Sequence, residues 1–351
     1  MKLAVIVAGA LAAALVCAHP GGDIQAELAQ HRAMLSRMAR TDLSHCAEKI
    51  KARGLEARAI ARRTELVTEL LMKSGELNSR DLGSVLRKSH HSDKDYDLET
   101  PYEVIFGSNS SCVLSPEVTE GPFYVAGEYV RKDIREHLPG IGLAVDVQVH
   151  DIETCDPVPN VFVEIYHSNI LGVYSGITKG DRTTWLRGFQ KTDADGVVNF
   201  KTVFPGPYYP RTTHIHVIVH PHAQERSNGT ILDDTASHIG QVYFDQDLIY
   251  KVENTTLYKV NKQPLVLNKD DGPFQQGAAT SDPVMQYVEL GDRIEDGLLA
   301  WISFGINTTL ANEIKVAATM TKEGAIANDQ KGFVQHEAQH SHDPISWKTI
   351  A

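Results

Sequence analysis

Phe204-Pro-Gly-Pro-Tyr-Tyr-Pro-Arg-Thr-Thr-His-Ile-His-Val-Ile-Val-His220 is the stretch on which the fold turns. After the Pro-Gly-Pro turn, Thr213 to His220 reads as a strand, whose side chains two apart share a face. His214 and His216 then point one way while Ile215 and Val217 point into a core. The same texture of short Val, Ile, Phe and Tyr runs predicts strands at Leu143 to His150, Val161 to His167, Val197 to Phe204, Ile239 to Phe244 and Val284 to Leu290. Turn signals such as Asp193-Ala-Asp-Gly196 separate them. Strands at this spacing predict a mainly β fold, an antiparallel β-sandwich spanning residues 101–320.

The flanks differ from this core. From Asp23 to about Ser74 the period is helical, with Ile24, Leu28, His31, Leu35 and Met38 on one stripe. A second helix is expected from the Thr41-Asp42 cap to Gly54, and a third from Leu55 to about Lys73. Residues 19–75 therefore form an α-helical arm, expected to cover a sandwich surface or to pair two subunits as a homodimer. Residues 76–100, polar and charged around Ser89-His90-His91-Ser92, read as a linker. Residues 321–351 lack apolar periodicity and are expected to be a mobile C-terminal tail.

Lys2 followed by the apolar run Leu3 to Val16 and the exit Val16-Cys17-Ala18 reads as a secretory signal over residues 1–18, which places the protein outside the cell. The run is too short to span a bilayer, so no membrane partner is expected. Four sequons, beginning at Asn109, Asn228, Asn254 and Asn307, fit a glycosylated secreted protein. With 34 Lys+Arg against 45 Asp+Glu, the net charge of −11 speaks against nucleic acid as a partner. Removing Cys17 leaves Cys46, Cys112 and Cys155. Leu43 and Ile50 flank Cys46 at helical spacing, so it reads as a buried thiol; Cys112 with Cys155 is the expected disulfide.

A His-x-His on a strand is a chelate geometry, although such imidazoles also pair with water or carbonyls at strand edges. Tyr208, in the turn just upstream, and Tyr174, in Val163-Glu-Ile-Tyr-His-Ser-Asn-Ile-Leu-Gly-Val-Tyr174, bring two phenols. Two phenolates with two imidazoles are a hard anionic set suited to Fe(III), whereas zinc favours His, Cys or carboxylate. His220 and His222 enter a loop and are expected at the surface. Tyr209, beside Tyr208, is expected to pack.

These pieces resemble the intradiol ring-cleavage dioxygenases, the family of catechol 1,2- and protocatechuate 3,4-dioxygenases. The matching segments are Thr119-Glu-Gly-Pro-Phe-Tyr124, Val158-Pro-Asn-Val-Phe-Val-Glu-Ile165, Gly172-Val-Tyr174, Thr192-Asp-Ala-Asp-Gly196, Pro205-Gly-Pro-Tyr208, Arg211 with His214-Ile-His216, and Gly240-Gln-Val-Tyr-Phe244. Leu298-Leu-Ala-Trp-Ile302 looks like the closing part of secreted fungal members. The resemblance implies that Tyr174, Tyr208, His214 and His216 hold a non-haem Fe(III), with hydroxide as a fifth ligand. It implies that Tyr208 leaves the metal when a catechol binds, that Arg211 stabilises negative charge on the ring, and that Gln241 orients substrate. The expected partners are a small aromatic diol and dioxygen, and the product a muconate-type diacid. Tyr166 and His167 stand where many relatives carry Trp and Gln.

Two other readings stay open. One is a non-catalytic sandwich that binds aromatic or glycan ligands. The other is a zinc hydrolase built on His336-Glu-Ala-Gln-His340, a motif that requires a buried helix but lies among polar residues near the C-terminus.

Overall fold

In the computed structural model the described residues are 43–74, 121–279 and 281–328. The signal segment, the first helix of the arm, the linker, Asn109, Cys112 and the His336 motif lie outside them. Ser44–Cys46 form one 3-10 turn, followed by helices α1 (Ala47–Ala52) and α2 (Leu55–Ser74). Gly54, with φ +65°, makes the break between the two helices. No helix among the described residues is long and apolar enough to cross a membrane.

The strands follow as β1 (Val125–Ala126), β2 (Glu128–Tyr129), β3 (Gly142–Asp151), β4 (Phe162–Tyr166), β5 (Arg187–Lys191), β6 (Val197–Val203), β7 (His214–His220), β8 (Thr230–Ile231), β9 (Thr235–Ala236) and β10 (His238–Tyr243). Helices α3 (Gln246–Glu253) and α4 (Gly272–Ala278) precede β11 (Gln286–Glu289), β12 (Leu298–Ile306), β13 (Asn312–Glu313), β14 (Ala318–Thr321) and β15 (Gly324–Ala327). Two four-stranded sheets form the sandwich, one in the order β10-β7-β4-β5 and the other β11-β12-β3-β6. The first is antiparallel throughout, while the second contains one parallel pair, β12 with β3.

Period-two alternation builds the core. Leu143, Val145, Val147 and Val149 of β3 interdigitate with Val163 and Ile165 of β4 and with Ile215, Val217 and Val219 of β7. The other face of β3 carries Asp146, which receives α2. Val67 and Leu71 of α2 pack on Val288, Leu299 and Trp301. Arg62 and Arg63 clamp the buried Asp146 at 2.8 and 3.3 Å, Asn199 donates to it at 2.7 Å, and Arg63 lies 5.2 Å over the Trp301 ring. Burial draws the Arg63 guanidinium down to about 10 despite Asp146. Asp146→Ala leaves two guanidinium groups without their carboxylate, one of them wholly buried. The expected loss is about 3–5 kcal/mol of stability, read as a lowered urea midpoint.

Three expectations are corrected. Cys46 is not a free thiol: it is bonded to Cys155, with a Cα–Cα distance of 5.3 Å. The stripe of Leu43, Cys46 and Ile50 does face inward, but it packs on Ile152 and Cys155 after β3, so the arm is stapled to the sandwich. Residues 321–327 belong to a β14–β15 hairpin turning at Gly324, which carries φ +110° and pairs β14 with β1, so ordered structure runs past position 320. His220 is fully buried because β7 continues through it and pairs it with Phe162 of β4.

Candidate metal centre

The outer face of the first sheet carries what its inner face excludes. Facing away from the core are Glu164 and Tyr166 of β4, His214, His216 and His220 of β7, and Gln241 and Tyr243 of β10, all buried. The β1-β14-β15 sheet and the loops around residues 123 and 174 cover this face, with Phe123, Tyr124, Ile177, Ile314 and Ala318 in one cluster. Polar side chains are thereby held out of water beside aromatic rings.

Tyr174 arrives on the loop after β4 and Tyr208 on the turn before β7. Gly206 and Gly172 let these segments touch: a Cβ on Gly206 would sit 2.3 Å from the Ile170 carbonyl, and one on Gly172 would sit 2.4 Å from the Pro207 carbonyl. The Tyr174 and Tyr208 rings meet edge to face at 5.4 Å. Tyr208 Oη lies 3.5 Å from His214 Nε2, which in turn lies 3.1 Å from His216 Nε2. The four side chains named from the sequence therefore converge. Tyr209 does not pack as expected but is 51% exposed, so the neighbouring phenol is not a competing ligand. The Tyr209-Pro210 peptide is cis.

The donor set fits a trivalent cation. His214 Nδ1 lies 2.6 Å from the Thr212 carbonyl, which can only accept, so Nδ1 carries the proton and Nε2 presents its lone pair. The buried Tyr174 hydroxyl makes no hydrogen bond of normal geometry, although buried phenols ordinarily find a partner. Without a cation, burial pushes the Tyr208 phenol up to about 12 and the Tyr174 phenol well above its ordinary value. Both phenols then stay neutral at pH 7, and a highly charged ion is what would make them anionic.

Arg211 is wholly buried at the edge of this group. Its Nε donates to Asp271 at 2.7 Å, and its Nη2 reaches Gln241 Oε1 at 2.5 Å and Tyr243 Oη at 3.3 Å. Burial, the largest influence, would lower its pKa, but Asp271 together with the neighbouring Tyr243 and Tyr208 raises it, so the side chain stays cationic. Gln241 lies opposite His216 in the β10–β7 register, and Tyr243 also donates to Gln241 Oε1 at 2.8 Å. Sequence reading missed Asp271, Tyr243 and Arg187, and marked Tyr166 only as a departure from many relatives. Asp271-Gly-Pro does signal a helix cap, and Asp271 accepts from Phe274 N at 2.9 Å, but nothing local shows its pairing with Arg211.

Behind the centre lies a buried charged group. His220 touches Glu164 Oε2 at 3.2 Å and Asp233 Oδ2 at 3.5 Å; burial alone would lower it, but these carboxylates raise it to about 9. Burial lifts Glu128 to about 8. His150 and His167 are instead drawn down to about 4 by burial. The signs oppose. The two low histidines contribute stability that is gained as pH rises through about 4 to 6.5. Glu128 and His220 hold protons in the folded state that the unfolded chain releases, so their contribution is lost toward pH 9. Urea unfolding of the metal-free protein is expected to show stability that declines between about pH 6.5 and pH 9. Glu128→Gln should flatten that decline, and an unchanged slope counts against the assignment.

Comparison with known proteins adds the following. A protein-family profile described as "Dioxygenase" matches residues 118–279. Catechol 1,2-dioxygenase 2 of Acinetobacter lwoffii is 37% identical over 99 residues, which are 27% of this chain and 35% of that protein. Catechol 1,2-dioxygenase of Acinetobacter baylyi is 33% identical over 101 residues. The matched region spans about a third of the length of these curated relatives. Among solved structures, an intradiol ring-cleavage dioxygenase from Tetranychus urticae is 30% identical, with 57% of this chain and 97% of that one covered at a TM-score of 0.49.

Proposed function

Because the chain belongs to the family of intradiol ring-cleavage dioxygenases, we propose that it opens the ring of catechol-type diols between the two hydroxylated carbons. Both atoms of dioxygen enter the product, a muconate-type diacid. Tyr174, Tyr208, His214 and His216 would hold a ferric ion. Bound there, Fe(III) supplies Lewis acidity that favours the dianionic form of the diol and draws electron density from its ring.

The observation that carries this reading is the convergence of the tautomer-fixed His214 Nε2, His216 Nε2 and two buried phenols on one face of one sheet. The chain's own residues divide the remaining work. Tyr208 Oη is the oxygen placed to take a proton from an incoming diol. Arg211, held flat by Asp271 and Gln241, keeps a fixed positive charge where the ring becomes electron-rich. The apolar cover around Phe123 and Ile314 excludes bulk water.

Oxygen uptake on adding catechol to iron-loaded protein, with the ring-opened diacid identified by mass, tests the activity. Iron binding without uptake would favour the non-catalytic reading. We also propose that the protein is secreted and glycosylated. Asn228 and Asn254 are exposed in support of this, and loss of mass on N-glycosidase treatment of the natively produced protein is the expected result.

A further inference from the structure

One rung crosses the first sheet from edge to edge. Arg187 of β5 pairs with Tyr166 of β4, Tyr166 with His216 of β7, and His216 with Gln241 of β10. Residues of one rung share a face and stand one strand spacing apart, close enough for rings to stack. The Tyr166 ring lies flat on the His216 imidazole, with centroids 4.3 Å apart and planes 4° from parallel. The Arg187 guanidinium lies 4.9 Å from the Tyr166 ring centroid and 5.9 Å from that of Tyr174.

Arg187 is itself wholly buried and anchored on main chain. Its Nη2 donates to the Ser175 carbonyl at 2.9 Å and to the Phe123 carbonyl at 2.8 Å, and its Nε donates to Ser175 at 3.1 Å. Ser175 follows Tyr174 directly, and Phe123 stacks on the Tyr174 ring at 4.5 Å. The buried Glu128, whose carboxyl oxygens make no hydrogen bond, lies within reach of the Arg187 charge, which opposes but does not overcome the burial that keeps this group protonated.

We propose that Arg187 is a positioning residue of the metal centre. Through the Tyr166 stack it fixes the plane of His216, and through Ser175 and Phe123 it fixes the loop that carries Tyr174. One cation thereby sets two metal-binding side chains that come from different parts of the chain. The inference rests on the four-residue ferric site proposed above. Supporting groups of this kind hold metal-binding side chains in orientation, and their removal typically weakens binding about 10- to 100-fold.

The test is the rate at which iron-loaded protein loses iron to a strong chelator, read together with the position of its visible band. Arg187→Met and Tyr166→Leu are expected to lose iron about 10- to 100-fold faster and to shift the band. Tyr166→Phe, which keeps the stacked ring, is expected to match the parent. Should Arg187→Met fail to fold, the Tyr166 pair decides. A Tyr166→Leu protein with the parental rate and band, even with a lowered melting temperature, overturns the proposal. A parent that never develops a visible band overturns instead the ferric site on which the proposal rests.

Discussion

Replacing Tyr174 or Tyr208 with phenylalanine is expected to abolish the phenolate-to-iron colour contributed by that ring and to weaken iron binding by more than the about 100-fold that loss of a supporting residue costs. The reason lies in the sheet. With both rings in place, the site offers two oxygens that can become anionic and two nitrogens with directed lone pairs. Removing one oxygen leaves a trivalent cation less compensated in a site shielded from water, where each unit of charge matters most. The two variants differ in a useful way. Tyr174 is the more enclosed, stacked on Phe123 and close to Arg187, so its loss should weaken iron binding most. Tyr208 lies on a turn beside the exposed Tyr209, so its loss should fall more on turnover. The double variant should be colourless, and a normal visible spectrum in it would reject these ligands.

Arg211→Met is the second large effect: kcat is expected to fall about 10²- to 10³-fold with iron still bound. A fixed cation in a dry site stabilises developing charge without reorganising, which water cannot do. The substitution also strands Asp271, which is 1% exposed and faces Arg211 as part of a buried pair, so about 3–5 kcal/mol of stability should go with it. Arg211→Lys separates the two roles. It keeps a charge near Asp271 but cannot reach Asp271 and Gln241 together in one plane, so stability should largely return while turnover stays depressed. Equal recovery of both would make Arg211 a structural residue only.

What could be read from sequence was what repeats locally. All six strands expected from alternation are present, because one face of each is core and the other is not; Leu143 to Val149 shows this most plainly. The His-x-His pair was legible for the same reason, since strand geometry alone puts both rings on one face. By contrast β12, Leu298–Ile306, was not identified as a strand from its pattern, because its residue types do not alternate: Leu298, Ala300 and Ile302 face the sandwich core while Leu299 and Trp301, equally apolar, face α2. Its parallel pairing with β3 joins segments more than a hundred residues apart, a relation no local window contains.

The remaining misses share that origin. Cys46 was legible as buried, yet its partner is decided by how α1 seats on the loop after β3. His220 looked like the start of a loop because Pro221 follows it, but Glu164, two strand positions from Tyr166, awaits it across the ladder. Arg211 was legible through its place before the histidines, while Asp271, sixty residues on, became its partner only when the turn leading into α4 folded back onto Arg211 and Thr212. In each case the residue type was informative and the contact was not, because the contact depends on the fold.

The central claim is that two phenols and two imidazoles hold one trivalent iron. Titration of metal-free protein with ferric iron under argon, followed in the visible range, tests it most directly. The account predicts a phenolate-to-iron band that grows linearly and stops at one equivalent per chain. Iron uptake without such a band, or a band that fails to saturate at that ratio, would contradict it.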